Sequence, residues 1–191
     1  MIKKILPILL FVFVFHPGSK AQPNFCSAAK SMHAALLPLA APGSIQEVLM
    51  NNYDVKFQHL NLNVERTSTF ISGWVRTLAL FTKACDTFAF ELHSDLSLDS
   101  VFSGTQKTTI SHIGNFGYAQ PAVPFASGAL ADIKIYYHGT PPNAGSSAFG
   151  NGFTNATDGA SGIQITYSLS QPYAASEWWP CKQSLKDKID S

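Results

Sequence analysis

From residue 53 onward the sequence runs in short stretches with apolar side chains at every second position, a period that suits half-buried strands and not helices. The tidiest stretch is residues 163–170, where Ile163, Ile165, Tyr167 and Leu169 alternate with Gln164, Thr166, Ser168 and Ser170. Residues 131–138 do the same, with Ile133, Ile135 and Tyr137 against Asp132, Lys134 and Tyr136, and residues 87–92 place Phe88, Phe90 and Leu92 on one face. In 53–64 the apolar positions shift from Val55 and Phe57 to Leu60, Leu62 and Val64, which predicts a bulge or bend near His59. Leu96, Leu98 and Val101 predict another strand with a face change. Residues 70–81 follow a polar turn at 65–69 and become apolar on both faces, as in a strand covered on both sides near its end. Residues 107–113 form a threonine-rich candidate, and the proline-bearing 119–125 is at most an edge strand. The segment 139–162, rich in Gly, Pro, Asn and Ser, reads as a long loop that Phe149 and Phe153 partly pack. Roughly seven to nine short strands, with no convincing helical period after residue 50, predict an all-β fold: an antiparallel β-sandwich or saddle-like sheet assembly.

The residues before 50 differ in character. Lys3 and Lys4, the apolar run from Ile5 to Phe15 broken only by Pro7, and Ser19-Lys20-Ala21 have the order of a cleavable signal peptide, with cleavage expected after Ala21. The apolar run is too short to span a bilayer comfortably, so no membrane span is expected after cleavage. The predicted destination is the periplasm, the cell surface or the medium. Residues 22–50 read as an N-terminal linker. Within it 27–37 predicts a short helix with Ala28, Met32 and Leu36 on one side, stopped by Pro38, that packs on something else. Residues 51–191 are the β domain. With 191 residues, 46% of them hydrophobic, the chain suits one compact domain. A formal charge of +1 without long runs of either sign excludes the basic footprint of a nucleic-acid binder or a polybasic membrane surface.

Export sets an oxidising compartment, yet Cys26, Cys85 and Cys181 are an odd number, so at least one is free or paired outside the chain. They form no C-x-x-C unit and read as small buried residues with room for one bridge. His59, His93, His112 and His138 are scattered, without the spacing that puts two imidazoles on one face, and read as ordinary strand and turn residues. No G-x-S-x-G elbow is present; Ala144-Gly145-Ser146-Ser147 reads as flexible loop. Asn155-Ala156-Thr157 is a sequon if the source glycosylates.

The stretch from Gln171 to Cys181 is the most unusual in the chain, with Trp178 and Trp179 adjacent between prolines and only 13% of all residues charged. Gln171 ends an alternating strand, where a side chain is held rigidly at a rim and its carbonyl oxygen can accept from a ligand ammonium. Pro172 raises the chance of a cis bond there. The tryptophans supply apolar area and two N–H groups that need partners, either as one wall of a binding site or as a core plug beside a mere turn residue. Cys181, after Trp178-Trp179-Pro180, reads as an inert buried thiol.

Tyr53-Asp54-Val55-Lys56, Ile71-Ser72-Gly73-Trp74-Val75, Tyr136-Tyr137-His138-Gly139-Thr140-Pro141-Pro142 and Ser170-Gln171-Pro172-Tyr173-Ala174-Ala175, leading to Trp179-Pro180-Cys181, together resemble the N-terminal domain of M1-family zinc aminopeptidases, which are aminopeptidase N-like. The likeness is strongest to the secreted bacterial branch and covers residues 53–191. Family members carry a glutamine or glutamate, often before a proline, with a Pro-Cys following at the spacing of Gln171 and Pro180-Cys181. This chain departs from them at Lys182-Gln183, where an acidic residue is usual, and at Ser176, where an arginine is usual, and both departures bear on a local salt bridge, not on the identity of the domain.

The resemblance implies a β domain that packs on a thermolysin-like catalytic domain, covers the active-site cleft and lends Gln171 to bind the substrate's α-amine. Pro172, Trp178, Trp179, Pro180 and Cys181 would support that residue. It also implies zinc in the full-length enzyme, held by an H-E-x-x-H motif and a downstream glutamate, with that motif's glutamate as general base. H-E-x-x-H occurs nowhere in these 191 residues. The expectation is a truncated or fragmentary member with no cofactor of its own, inactive alone, whose partners are the missing M1 catalytic domain and a peptide N-terminus. The alternative is a stand-alone secreted β-sandwich module that binds peptide or carbohydrate through its aromatic end.

Overall fold

Ten strands build three antiparallel sheets in a computed structural model that describes residues 40–142, 152–170, 173–184, 187 and 189–190. The largest sheet has the order β1-β2-β8-β4-β5, from β1 (Tyr53–Val64), β2 (Ile71–Phe81), β8 (Leu130–Gly139), β4 (Leu96–Ser103) and β5 (Gln106–Lys107). A second has the order β3-β7-β6, from β3 (Phe88–Glu91), β7 (Phe116–Gln120) and β6 (Thr109–Ile113). The third is a ribbon of β9 (Phe153–Thr157) and β10 (Gln164–Ser168). The expected all-β sandwich is the observed architecture.

The core lies between the two larger sheets. Val75, Ala79 and Phe81 of β2, Ile133, Ile135 and Tyr137 of β8 and Val101 of β4 are buried against Phe88, Ala89 and Phe90 of β3. Aromatic rings tie the layers together: Tyr53 packs on Phe88 with centroids 4.7 Å apart, and Phe81 stacks on Phe125 at 4.0 Å. All four residues of β3 are buried, so the strand expected to bury one face is covered on both.

Several boundaries depart from the sequence reading for identifiable reasons. The irregularity expected near His59 falls at Lys56, where the β1–β2 register skips a residue between Val55 and Phe57. Phe57 therefore turns outward and meets the His59 ring, while Leu60 takes the position opposite Val75. The face change in β4 is a second bulge, at Asp99. The 107–113 candidate divides at Thr108, whose buried hydroxyl donates to Val101 O at 3.0 Å, and its two parts join different sheets. In place of a strand over 119–125, β7 ends at Gln120, ahead of Pro121, and only Phe125 beyond it bridges, to Cys85. Segment 139–162, read as loop, contains β9.

The short helix expected over 27–37 lies outside the described residues. One helix not foreseen, α1 (Ile45–Met50), follows an N-cap at Ser44, whose hydroxyl accepts from Glu47 N at 3.2 Å while the Glu47 carboxylate accepts from Gly43 N. This reciprocal arrangement supplies the acceptors that the free N–H groups of a first turn require.

Candidate functional site

The chain leaves β10 through Ser170 and returns to the core within a few residues. Ala174 is fully buried and its N–H donates to Ser170 O at 3.1 Å. A single 3₁₀ turn, Ala175–Glu177, follows and delivers Trp178 and Trp179. Trp178 stacks on Phe153 of β9 with centroids 5.3 Å apart, and its indole N–H donates to Ser170 Oγ at 3.2 Å. Its carbonyl accepts from the Tyr137 hydroxyl at 2.9 Å, which fixes the turn to the centre of the large sheet. Trp179 meets Trp178 at 6.1 Å with rings 63° apart. Both tryptophans are half-buried and pack on the core.

Three further contacts make this wall rigid. Gly152 N donates to the buried Glu177 carboxylate at 2.5 Å, and a Cβ at Gly152 would lie 2.0 Å from Ala174 O, so the two backbones approach only because residue 152 has no side chain. Glu91 and Cys181 exchange backbone hydrogen bonds of 2.8 and 3.0 Å. His93 N donates to Ser176 O at 2.8 Å.

The segment after Cys181 locks the turn from the other side. Gln183 N donates to Glu91 Oε2 at 2.7 Å, the Gln183 side-chain oxygen accepts from Ala175 N at 3.1 Å, and its nitrogen donates to Ser176 Oγ at 2.7 Å. Ser176 and Gln183 are thus bonded to each other as a neutral pair. Lys182, whose side chain is buried, donates to Tyr53 O at 2.7 Å, lies 4.8 Å from the centre of the Tyr53 ring and pairs with Asp187.

Burial sets the electrostatics. Glu91 is 4% exposed, so desolvation raises its carboxyl from 4.5 to about 7 while the bonds from Gln183 pull the other way. Burial likewise pushes the Cys181 thiol well above its ordinary range, with the Glu91 charge adding to the effect. Cys181 is therefore the inert thiol expected. It and Cys85 are both buried and free. Cys26 lies outside the described residues.

Of the predicted site residues, Trp178, Trp179, Pro180 and Cys181 come together in this wall. Gln171 and Pro172 lie outside the described residues, as does the peptide bond between them; their chain neighbours Ser170 and Ala174 are pinned as above. The sequence reading missed Tyr137, Glu91, Glu177, Gly152, Phe153 and the bonding role of Gln183. The signal for Glu91 was its place in β3 beside Ala89, a small residue on the supposedly polar face.

Exposed apolar side chains occur on and beside β10, whereas the tryptophans are half-buried. Ile163, Ile165, Tyr167 and Leu169 are 37–49% exposed. On the opposite face, the Thr166 hydroxyl bonds to Glu65 O at 2.8 Å, and Asn155 of β9 donates to Arg66 O at 2.7 Å. The ribbon thus rests its polar side on its own domain and turns its apolar side away. The Asn155 nitrogen is also bonded to Thr166 Oγ1 and Ile165 O, so a glycan at that sequon would break three contacts.

The described histidines do not converge. His138 pairs with Asp99 at 2.9 Å, His93 lies 3.6 Å from Asp95, His112 Nε2 is 3.0 Å from Leu92 O, and His59 packs edge-on to Trp74. Among the described residues no group of three or more His, Cys, Asp or Glu could hold a metal ion, so these residues do not fit a zinc centre. No helix among them is long and apolar enough to cross a membrane.

No protein-family model and no curated protein matches the sequence. Solved structures do match the fold. The M1 zinc metallopeptidase from Deinococcus radiodurans superposes with a TM-score of 0.61 at 20% identity, over 71% of this chain and 30% of that one. A mutant of that enzyme bound to a Tyr-Ser-Ala substrate gives the same values. Native leukotriene A4 hydrolase from Saccharomyces cerevisiae superposes with a TM-score of 0.57 at 14% identity, over 82% of this chain and 25% of that one. At these identities the likeness is one of fold, and the chain spans less than a third of the length of each.

Proposed function

We propose that this chain is the N-terminal domain of an M1-like zinc metallo-aminopeptidase, capping the active-site cleft and helping to bind the substrate's α-amine. The observation that carries the reading is the inverted β9–β10 ribbon: β10 faces its apolar side chains away from its own domain, where a neighbouring catalytic domain would cover them. The likeness of fold to M1 zinc metallopeptidases supports it. In this reading Gln171, three residues past β10 in sequence, accepts a hydrogen bond from the substrate ammonium through its side-chain oxygen. The wall of Trp178, Trp179, Pro180 and Cys181 holds its backbone in place. Zinc supplies Lewis-acid and water-activating chemistry in such an enzyme. Its ligands would lie in the partner catalytic domain, and no step in this chain passes through it. Export with cleavage after Ala21 is part of the same proposal.

The test is to read the coding sequence beyond Ser191 for H-E-x-x-H, then assay both products for release of N-terminal amino acids. The longer product is expected to show chelator-sensitive activity and the 191-residue chain none. Chelator-sensitive activity from the short chain, or a reading frame that stops after Ser191 with a monodisperse product that binds peptide or carbohydrate by itself, would overturn the assignment.

A further inference from the structure

A groove of about 510 Å³ lies between α1 and the three-stranded sheet, and the tryptophan wall contributes none of its lining residues. Ile45 and Leu49 of α1 form one side and Ile110 and Ile113 of β6 the other, with a Gln46 to Tyr118 side-chain bond of 3.0 Å between them. Ile45 and Ile113 are 67% and 66% exposed, unusual for isoleucines that flank an apolar groove.

The chain itself names the occupant. Ala40 packs on the core, and the turn closed by the bond from Ser44 N to Ala41 O at 2.9 Å carries the backbone directly into α1. The residues preceding Ala40 are therefore tethered only a few residues before Ile45, which lines the groove. Among them Ala28, Met32 and Leu36 recur every fourth position, which would align them as one apolar edge about 12 Å long were 27–37 helical. Pro38 ends such a helix at the point where the chain must turn back. A short tether raises the local concentration of this segment to the order of millimolar, well above that of a second copy or a dilute partner. We infer that the N-terminal segment 22–39 of the mature chain docks its Ala28, Met32 and Leu36 edge in the groove between α1 and β6, covering Ile45 and Ile113.

Amide hydrogen exchange on the chain beginning at Gln22 tests this. The wild type is compared with a variant carrying Met32→Asp and Leu36→Asp, and with a control carrying Met32→Leu and Leu36→Met. Exchange across β2 and β8, expected to be the same in all three proteins, shows that the fold is retained. The expected outcome is roughly tenfold faster exchange across α1 and β6 in the Asp variant, no change in the control, and no dependence on protein concentration. Equal exchange in all three proteins would overturn the inference. So would protection that disappears on dilution, which would assign the groove to a second copy of the chain.

Discussion

Glu91 carries the clearest consequence at the scale of a single residue. Its carboxyl is raised by burial from 4.5 to about 7, so the folded state favours the protonated form. The stability this contributes is fully present below the unfolded value and is lost as pH rises through about 7. The difference is on the order of 3 kcal/mol. Glu91→Gln keeps an acceptor for Gln183 N and cannot ionise. Urea unfolding at pH 5 and pH 8 should therefore show a smaller loss of stability with rising pH in the variant than in the wild type. An identical pH dependence in both would refute this account of Glu91. The residue was not legible beforehand because alternation alone assigns Glu91 to solvent. Only the neighbouring sheet and the Cys181 segment reveal that both faces of β3 are covered. Cys181 was legible, since two tryptophans and a proline before it leave a small side chain little course but inward.

At the scale of elements, β10 shows how far pattern reading extends. The alternation of Ile163, Ile165, Tyr167 and Leu169 located the strand correctly, and the same alternation is compatible with either face meeting the parent domain. What decides the matter is the bonding of Thr166 and Asn155 to the backbone of the turn at 65–66, contacts about a hundred residues apart in sequence that no local signal encodes. Because Ile165 is 43% exposed, Ile165→Asp should change the unfolding free energy of the isolated chain by no more than about 0.5 kcal/mol. In the two-domain enzyme proposed above, the same substitution should weaken docking of the domains, seen as faster proteolytic separation of the halves. A large loss of stability in the isolated chain would show that β10 packs inward after all. The unforeseen β9 has a plain cause: Phe153-Thr-Asn-Ala-Thr offers one large apolar residue and exists as a strand only because β10 pairs with it.

At the scale of the whole molecule, the class of fold was legible and its wiring was not. Period-2 patterning predicts strands and their number, but the pairing of β2 with β8, and of Glu91 with Cys181, joins residues far apart in the chain. Turn chemistry constrains hairpins and leaves such long-range partners open. Global packing also gives a reporter of unfolding. Cys85 and Cys181 are both buried, Cys85 within the main hydrophobic core. Mass spectrometry after alkylation should find both unmodified in native protein and both modified once denaturant passes the midpoint. Rapid labelling of either under native conditions would contradict the burial described above.

The neutral bond between Ser176 and Gln183 has a consequence in salt. An ion pair near a protein surface weakens as dissolved ions screen it, over a Debye length of about 8 Å at physiological ionic strength. An amide donating to a hydroxyl has no net charge to screen. The Ser176–Gln183 bond therefore holds equally in brine and in dilute buffer, and any salt-dependent loosening of this turn would come from its charged fastenings, the Glu177 carboxylate on Gly152 N and the pair of Lys182 with Asp187.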